Sequence, residues 1–519
     1  MPGLDFFNKT PKWNILQLFF VSLSFCSFTM NHVFSKYAHY SRLSATAYLI
    51  YYAILVICLP LIYVQLNLGG KLQMGIVGIF GVSIPILKGT GIAVLITAFI
   101  RSLTDTYHMG ILAFYAFQSL KSPFPWDQAV STNLYDAEKT YLWNDVRVAS
   151  EGIDDVGIFY WWLPTCNAAV WGIIFLGICG GLKWVGIVLT VLGSVAITLS
   201  ATLLAYGREE FEHSSAPEKN FYKVNWEESL APNSLVAFTD RWIPVINMTV
   251  IIAAVFLGSF PTIGKCISQT SIMARTSWMP VVLVLGAMPH LFINMLAPYL
   301  DAAALALGVT NNELITNAGS TTDSLFLLLP RIMSALKVTR GVAFIWFLTL
   351  FVYALMYQIL HGAVIVDNFV DWLNKTSFNC FSRKSYLHLT LSMLYCAVAI
   401  VLSLPMVTQA TFIYFAQFDE EVQNISLLGR DQSPIVYPTW AYALGWLICL
   451  GPIVLGLLLG LMHSCCSSEK RMCARAAYDD AISSNGEDII DRKAHKGHFH
   501  EYRSSGHNNY LEPSGIRRY

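Results

Sequence analysis

An arginine and an aspartate stand one helical turn apart inside a long apolar stretch, Arg101 and Asp105, with Tyr107 and His108 directly after them. Side chains at this spacing share a helix face, so the two can neutralise one another. An ionisable group at membrane depth is costly, and it marks either an ion pair facing a helix bundle or a route for solute or protons with Asp105 as the titrating group. His290 and Asn294 repeat the one-turn spacing in a later apolar stretch, where hydrogen bonding between helices accounts for them. In the first apolar stretch Ser27, Thr29, Asn31 and His32 crowd polar groups together, and Gly258-Ser259-Phe260-Pro261 interrupts the sixth. Proline removes a backbone donor and glycine relaxes the torsional limits, so such a helix kinks or unwinds. Two interrupted helices separated by intact ones fit an inverted repeat whose broken helices expose backbone dipoles to substrate and ions at the midplane. A merely kinked helix fits the same residues.

The elements that must position these groups are membrane spans. Hydrophobic residues make up 55% of the chain and charged ones only 13%, far from the balance of a soluble domain. A spanning helix needs about 20 apolar residues, and about ten stretches meet that need. They lie near Trp13 to Phe34, Ala45 to Leu68, Gly89 to Leu120, Trp161 to Gly180, Val185 to Ala205, Trp242 to Ile263, Pro280 to Leu300, Gly341 to Val364, Tyr386 to Pro405 and Trp440 to Met462. The first has no A-x-A-like cleavage site and follows the charged Asp5, Lys9 and Lys12, so it reads as a span and not as a signal peptide. The segment from Lys121 to Tyr160 is acid-rich, whereas short connectors carry Lys71 and Lys88, Arg275, or Arg383 and Lys384. The positive-inside tendency puts the acid-rich loop outside and those connectors in the cytoplasm, and an even number of spans then leaves both termini cytoplasmic.

The formal net charge is zero and gives no reason to expect a nucleic-acid partner. Most of the eleven cysteines fall in or beside apolar spans, which leaves no external pair for a disulfide. Cys465 and Cys466, beside Lys470 and Arg471, read either as free thiols or as palmitoylation sites. Beyond them the chain becomes polar and rich in His, Arg, Gly and Ser, the composition of a disordered tail, and His495, His498, His500 and His507 match no fixed metal-ligand set. The segment from Asp301 to Leu336 is polar with an apolar patch, as in a structured hairpin or lid. No Walker loop, G-x-G-x-x-G, G-x-S-x-G or H-E-x-x-H string is present, and no nucleophile-base or metal set can be assembled, so an enzyme is not expected.

Several strings, read in order, resemble the neurotransmitter:sodium symporters (solute carrier family 6). They are Leu59-Pro60-Leu61 through Leu66-Asn67-Leu68-Gly69, Pro85-Ile86-Leu87-Lys88-Gly89, Pro123-Phe124-Pro125-Trp126, and Gly152-Ile153-Asp154-Asp155-Val156-Gly157. Later come Leu404-Pro405-Met406-Val407-Thr408-Gln409, Tyr437-Pro438-Thr439-Trp440-Ala441 and Gly445-Trp446. The resemblance covers about residues 13 to 463 and implies an all-α, polytopic transmembrane bundle with an inverted-repeat symporter fold, broken first and sixth helices and alternating access. The family has about twelve spans, and only Asp419 to Val436 separates the ninth-span string from the last, so the second repeat is expected to be truncated. The expected organisation is a cytoplasmic N-terminus over 1–12, a transmembrane domain over 13–463 and a disordered cytoplasmic tail over 464–519.

The same alignment implies a site and shows where it departs from the family. Asn31 matches a sodium-ligating asparagine, but Phe28 stands where the family receives the polar end of the substrate, and Asp105 replaces a tyrosine that holds a carboxylate. Ile251 and Ile252 replace a gating aromatic and a sodium-binding hydroxyl, and Met356 and Tyr357 replace ligands of the second sodium site. Sodium, a hard cation, needs several convergent oxygens, and few are retained. The expected substrate pocket is Phe28, Asn31, Asp105, Tyr107, Ile251, Phe256 and Gly258, with ion or proton coupling at Asn31, His32, Asp105 and His108. Phe34 and Asp419 are the remnant of the external gate, and Asn424 in Asn424-Ile425-Ser426 is a glycan acceptor. No cofactor is expected apart from a sodium ion whose ligands are depleted. The expected activity is sodium- or proton-coupled symport of a small organic solute, such as an amino acid, amine or neurotransmitter-like compound, at the plasma membrane. The alternative is a transport-inactive family member acting as a scaffold for a membrane-protein partner.

Overall fold

The computed structural model of the chain describes residues 12–25, 44–83, 87–127, 134–148, 160–211, 258–267, 276–280, 282–283, 288–318, 324–375, 384–404 and 439–466. Every regular element among them is helical, as the bilayer requires of apolar segments whose backbone groups must bond internally. In chain order they are α1 (Ile15–Ser24), α2 (Ser44–Leu72), α3 (Ile76–Ser83), α4 (Lys88–Gln118), α5 (Asp136–Thr140), α6 (Trp162–Ile178), α7 (Gly181–Glu210), α8 (Phe260–Lys265), α9 (Met288–Leu307), α10 (Asn311–Ala318), α11 (Ser324–Leu336), α12 (Arg340–Lys375), α13 (Lys384–Ser403) and α14 (Thr439–Cys466). A π-helical turn, Tyr141–Val146, follows α5.

The core of the bundle is the pair α4 and α12. These helices pack along each other, and α6, α7, α13 and α14 surround them. At about 1.5 Å per residue, the 31 residues of α4 and the 36 of α12 each exceed the thickness of a hydrocarbon core. α7 and α12 are both long and apolar enough to cross a membrane. α12 runs beyond the expected Val364 to Lys375, which brings Asp367 and Asp371 onto the end of a core helix. The segment expected to be a hairpin or lid is the pair α10 and α11, and α11 packs on α9 and on α5.

The crossing of α4 and α14 is a direct backbone contact. A Cβ on Gly89 would lie 1.7 Å from the carbonyl oxygen of Gly456, and one on Gly456 would lie 2.7 Å from that of Gly89. Close approach through small residues gives membrane helices the dispersion contacts that replace a hydrophobic driving force in lipid. Gly89→Val should therefore prise α14 from α4, costing on the order of 1–3 kcal/mol as overpacking does. The apparent thermal midpoint of the purified protein should fall, whereas Gly172→Val, at a position where a Cβ meets nothing within 4 Å, should leave it close to wild type.

Candidate functional site

A single stripe of α4 carries the centre of the site. Val94, Ala98, Arg101, Asp105 and His108 recur at helical spacing, and all are partly exposed on a helix whose second half is otherwise largely buried. The Arg101 Nε lies 3.6 Å from Asp105 Oδ2, with the side chains 30% and 25% exposed, so the pair predicted from spacing forms and stays open on one side. His108 donates from Nδ1 to the Thr104 carbonyl at 3.1 Å and lies close enough to Asp105 to stabilise its charge. Tyr107 turns the other way into the core, edge-on to the His108 ring.

Across the seam, α12 presents Tyr357 and His361. The Tyr357 hydroxyl lies 3.3 Å from His361 Nε2, with ring centroids 4.2 Å apart, and Arg101 is near enough to act on it electrostatically. His361 is buried, and its Nδ1 has no hydrogen-bond partner. A second, fully enclosed network lies behind this seam. Ser102 donates to Gln358 at 2.7 Å and pairs with the Tyr395 hydroxyl at 3.0 Å, which ties α4 to α12 and α13. Buried polar networks of this kind fix helix register.

Below the stripe the chain turns at Gly258, where φ is +91°, a left-handed conformation that favours glycine, and a Cβ there would sit 2.8 Å from Val94 Cγ1. α8 starts two residues later with Pro261 in its first turn, where a missing N–H costs nothing. A helix therefore starts beside the stripe where the sixth span was expected to break, but residues 251–257, the preceding part of that span, lie outside the described residues. So do the other expected site residues Phe28, Asn31, His32, Phe34, Ile251, Phe256, Asp419 and Asn424. Of the expected site, Asp105 and His108 share the seam, Gly258 borders it, and Tyr107 stands beside it in the core.

Both ends of the seam are closed by charges that sequence reasoning passed over. At one end Lys265 of α8, only 2% exposed, is held by Asp367 and, at 2.8 Å, by Asp371 of α12. Asp371 also accepts from the Gly75 N–H at 3.1 Å, and Asn368 donates to Thr262 at 3.4 Å. Lys12 donates to the carbonyls of Lys265 and Ile267, and the Trp13 N–H to that of Cys266, so the start of the chain is fastened to the same helix end. The legible signals were a lysine closing the sixth apolar stretch and two acids one turn apart just beyond the eighth. For His361 the signal was an ionisable residue in mid-span.

At the opposite end an aromatic cluster caps the bundle. Tyr115 of α4 stacks on Phe326 of α11 at 5.6 Å and packs on Trp126 and on Phe347 of α12. Beside it Glu138 of α5 is buried, with Arg331 Nη1 of α11 3.5 Å from its Oε1. Burial pushes the Glu138 carboxyl above the ordinary carboxylate range and Asp127 adds to this, while Arg331 opposes it.

Comparison with known proteins places these features in context. The model of the sodium:neurotransmitter symporter family matches residues 37–209. A sodium-dependent neutral amino acid transporter, B(0)AT1 of Mus musculus, is 26% identical over 192 residues, covering 34% of this chain and 30% of that protein. The sodium- and chloride-dependent GABA transporter ine of Drosophila melanogaster is 20% identical over 420 residues, 76% of this chain and 42% of that one. The chain thus spans less than half the length of these curated relatives. Among solved structures, MhsT in complex with L-phenylalanine is similar with a TM-score of 0.52 at 14% identity, covering 87% of this chain and 99% of that chain, which shows a shared fold.

Two outcomes are expected. Lys265→Met leaves the buried Asp367 carboxylate unpaired, a loss of about 3–5 kcal/mol that should appear as a lower unfolding midpoint, partly restored by adding Asp367→Asn. For Glu138, a raised carboxyl in the folded protein means that its contribution is fully present below the ordinary carboxylate pKa and is lost as pH rises through the raised value. The wild-type midpoint should therefore fall, as pH rises above the ordinary carboxylate range, by more than that of Glu138→Gln, and equal slopes would remove this role.

Proposed function

We propose that this chain, a relative of the sodium:neurotransmitter symporter family, is a secondary active transporter that carries a small organic solute across the plasma membrane, coupled to sodium or protons. The observation that carries the reading is the Arg101–Asp105 pair, left partly open on the seam between the two central helices and faced by Tyr357 and His361. A purely structural pair is expected to be enclosed, whereas a binding centre must be reachable. The Gly258 turn beside the stripe supplies a point where a broken helix can change direction, and the Lys265 and Glu138 contacts supply closures on opposite sides of the centre. In this reading the Lys265 end is cytoplasmic and the Glu138 end external, in keeping with the acid-rich loop.

Substrate contacts are assigned to Phe28, Asn31, Asp105, Tyr107, Ile251, Phe256 and Gly258, and coupling to Asn31, His32, Asp105 and His108. Tyr357 and His361 join them, because the two are paired 3.3 Å apart across the seam, near enough to Arg101 for its charge to act on both. Coupling by protons gains support from this cluster, since carboxylate and imidazole groups titrate, whereas the oxygens that would hold sodium are depleted. The relatives named above are transporters, which agrees with a non-enzymatic role.

The test is flux into sealed proteoliposomes for amino acids, amines and osmolytes, under a sodium gradient and then a proton gradient. A substrate-dependent current is expected, and Asp105→Asn should reduce it by on the order of tenfold or more at equal incorporation. Silence across the panel with correctly folded protein would favour the scaffold, and full current in the Asp105→Asn variant would remove Asp105 from the mechanism.

A further inference from the structure

Glu138 is a buried acid outside the seam. It is 1% exposed, and neither of its carboxylate oxygens takes a hydrogen bond. The ion pair with Arg331 of α11 is loose, because Nη1 stands 3.5 Å from Oε1 and the Arg331 Nε also has no hydrogen-bond partner. The Tyr141 hydroxyl, three residues on, and the ring N–H of Trp126, packed on Tyr141, are buried without a hydrogen-bond partner as well. An ionised carboxylate left in this state carries the full penalty of desolvation. A neutral acid carries less and gains an O–H that can donate.

The place of this acid in the fold gives it a mechanical role. α11 carries a single charged residue, Arg331, in an otherwise apolar helix, and it packs on α5, where Glu138 lies. Tyr135, three residues before Glu138, donates to the Leu314 carbonyl of α10, so both helices of the α10–α11 segment are fastened to α5. Among the described residues, the elements packed on α5 present Arg331 of α11, Asp127 of the Pro125–Asp127 turn and Tyr141 of the π-helical turn. Tyr135 stands on the Glu138 segment itself, and Arg147 is buried just past the π-helical turn. Lys139, Asp145 and Glu313 are exposed to solvent. Burial holds the Glu138 carboxyl above the ordinary carboxylate range, with Arg331 opposing and Asp127 adding.

We propose that Glu138 is a proton-binding latch for the α10–α11 segment: with a proton on its carboxyl the segment is seated on α5, and without one the segment lifts. The step is a single protonation, in which the carboxylate and a proton give the neutral acid and no electrons move. Once ionised, the carboxylate gains its missing hydrogen bonds from water, which reaches it when α11 moves off. An ordinary salt-bridge lock has the opposite sign, because there the ionised acid holds Arg331 and the segment stays seated as pH rises. The missing hydrogen bonds on both partners favour the proton latch over the lock. Only the side of the membrane on which the latch lies is taken from the transport reading, and the latch itself does not need flux.

The test is thiol labelling of Ser324→Cys in the purified full chain in detergent, where both faces are reachable, with the parent chain as background. Ser324 is the buried first residue of α11 and its hydroxyl makes no hydrogen bond, so the substitution removes no contact of that kind. The labelling rate is divided at each pH by that of the same thiol in denaturant, which cancels the ionisation of the thiol. As pH rises above the ordinary carboxylate range, this ratio should climb by up to about tenfold per pH unit, the limit for one linked proton. Adding Glu138→Gln, which mimics the neutral acid, should keep the thiol protected at every pH. Adding Arg331→Gln should move the climb to higher pH, because the opposing positive charge is gone. A ratio that is flat or falls with pH overturns the proposal, and so does an Arg331→Gln thiol exposed at every pH. The ratio in the chain with Glu138 and Arg331 intact decides it even if a further variant fails to fold. Flux with a flat ratio would overturn the latch and leave transport standing, and a climbing ratio without flux would do the reverse.

Discussion

Two opposite charges lie inside an apolar bundle, and the arrangement around them follows from what such charges require. Removing an ion from water costs several kcal/mol even after the protein relaxes. Two unit charges about 4 Å apart at an effective dielectric of about 20 recover only about 4 kcal/mol. The Arg101–Asp105 pair, at 3.6 Å, is therefore close to balance and not a strong stabiliser. A near-balanced pair can be exchanged for another pairing at little cost, which a transport centre needs and a structural strut does not. The Tyr357 hydroxyl and the His361 ring, 3.3 Å apart, stand beside the pair on α12.

Around this centre, contacts through backbones and buried hydroxyls differ in kind from contacts through charges. The Gly89–Gly456 crossing and the Ser102–Gln358–Tyr395 network join backbones and buried hydroxyls, and they hold α4, α12, α13 and α14 as one frame. At the Lys265 end, by contrast, α8 is a short helix starting after a positive-φ glycine and is fastened to the frame by charges. At the Glu138 end the contact again ties a short helix to the bundle through a charge pair. Charge contacts between a short element and a frame can break and reform as a unit, as alternating access requires.

Much of this was legible in the amino-acid sequence, for physical reasons. Long apolar stretches dictate helices because a bilayer leaves the backbone no other partner, so the helical class and the placement of α4, α6, α7, α13 and α14 could be read from composition. The Arg101–Asp105 pair was legible because helical spacing fixes a shared face. What spacing does not give is the partner across the seam. Tyr357 was visible only as a replaced residue, and His361 became part of the site once α12 had been laid against α4. The Lys265 cluster was hidden because its lysine and its two acids lie about a hundred residues apart and only the fold joins them.

The central claim is that the α4–α12 seam is a water-reached path and not a lipid-facing or sealed surface. Ala98 lies on the exposed stripe one turn before Arg101 and is the place to ask. Ala98→Cys in sealed proteoliposomes, treated with a charged, membrane-impermeant thiol reagent and compared with the parent chain carrying only its native cysteines, reads the path directly. The account requires the introduced thiol to be modified above the parent background, more slowly when a transported solute is present. A position 98 thiol that stays unmodified from either side of the membrane, in protein shown to be folded, would contradict it.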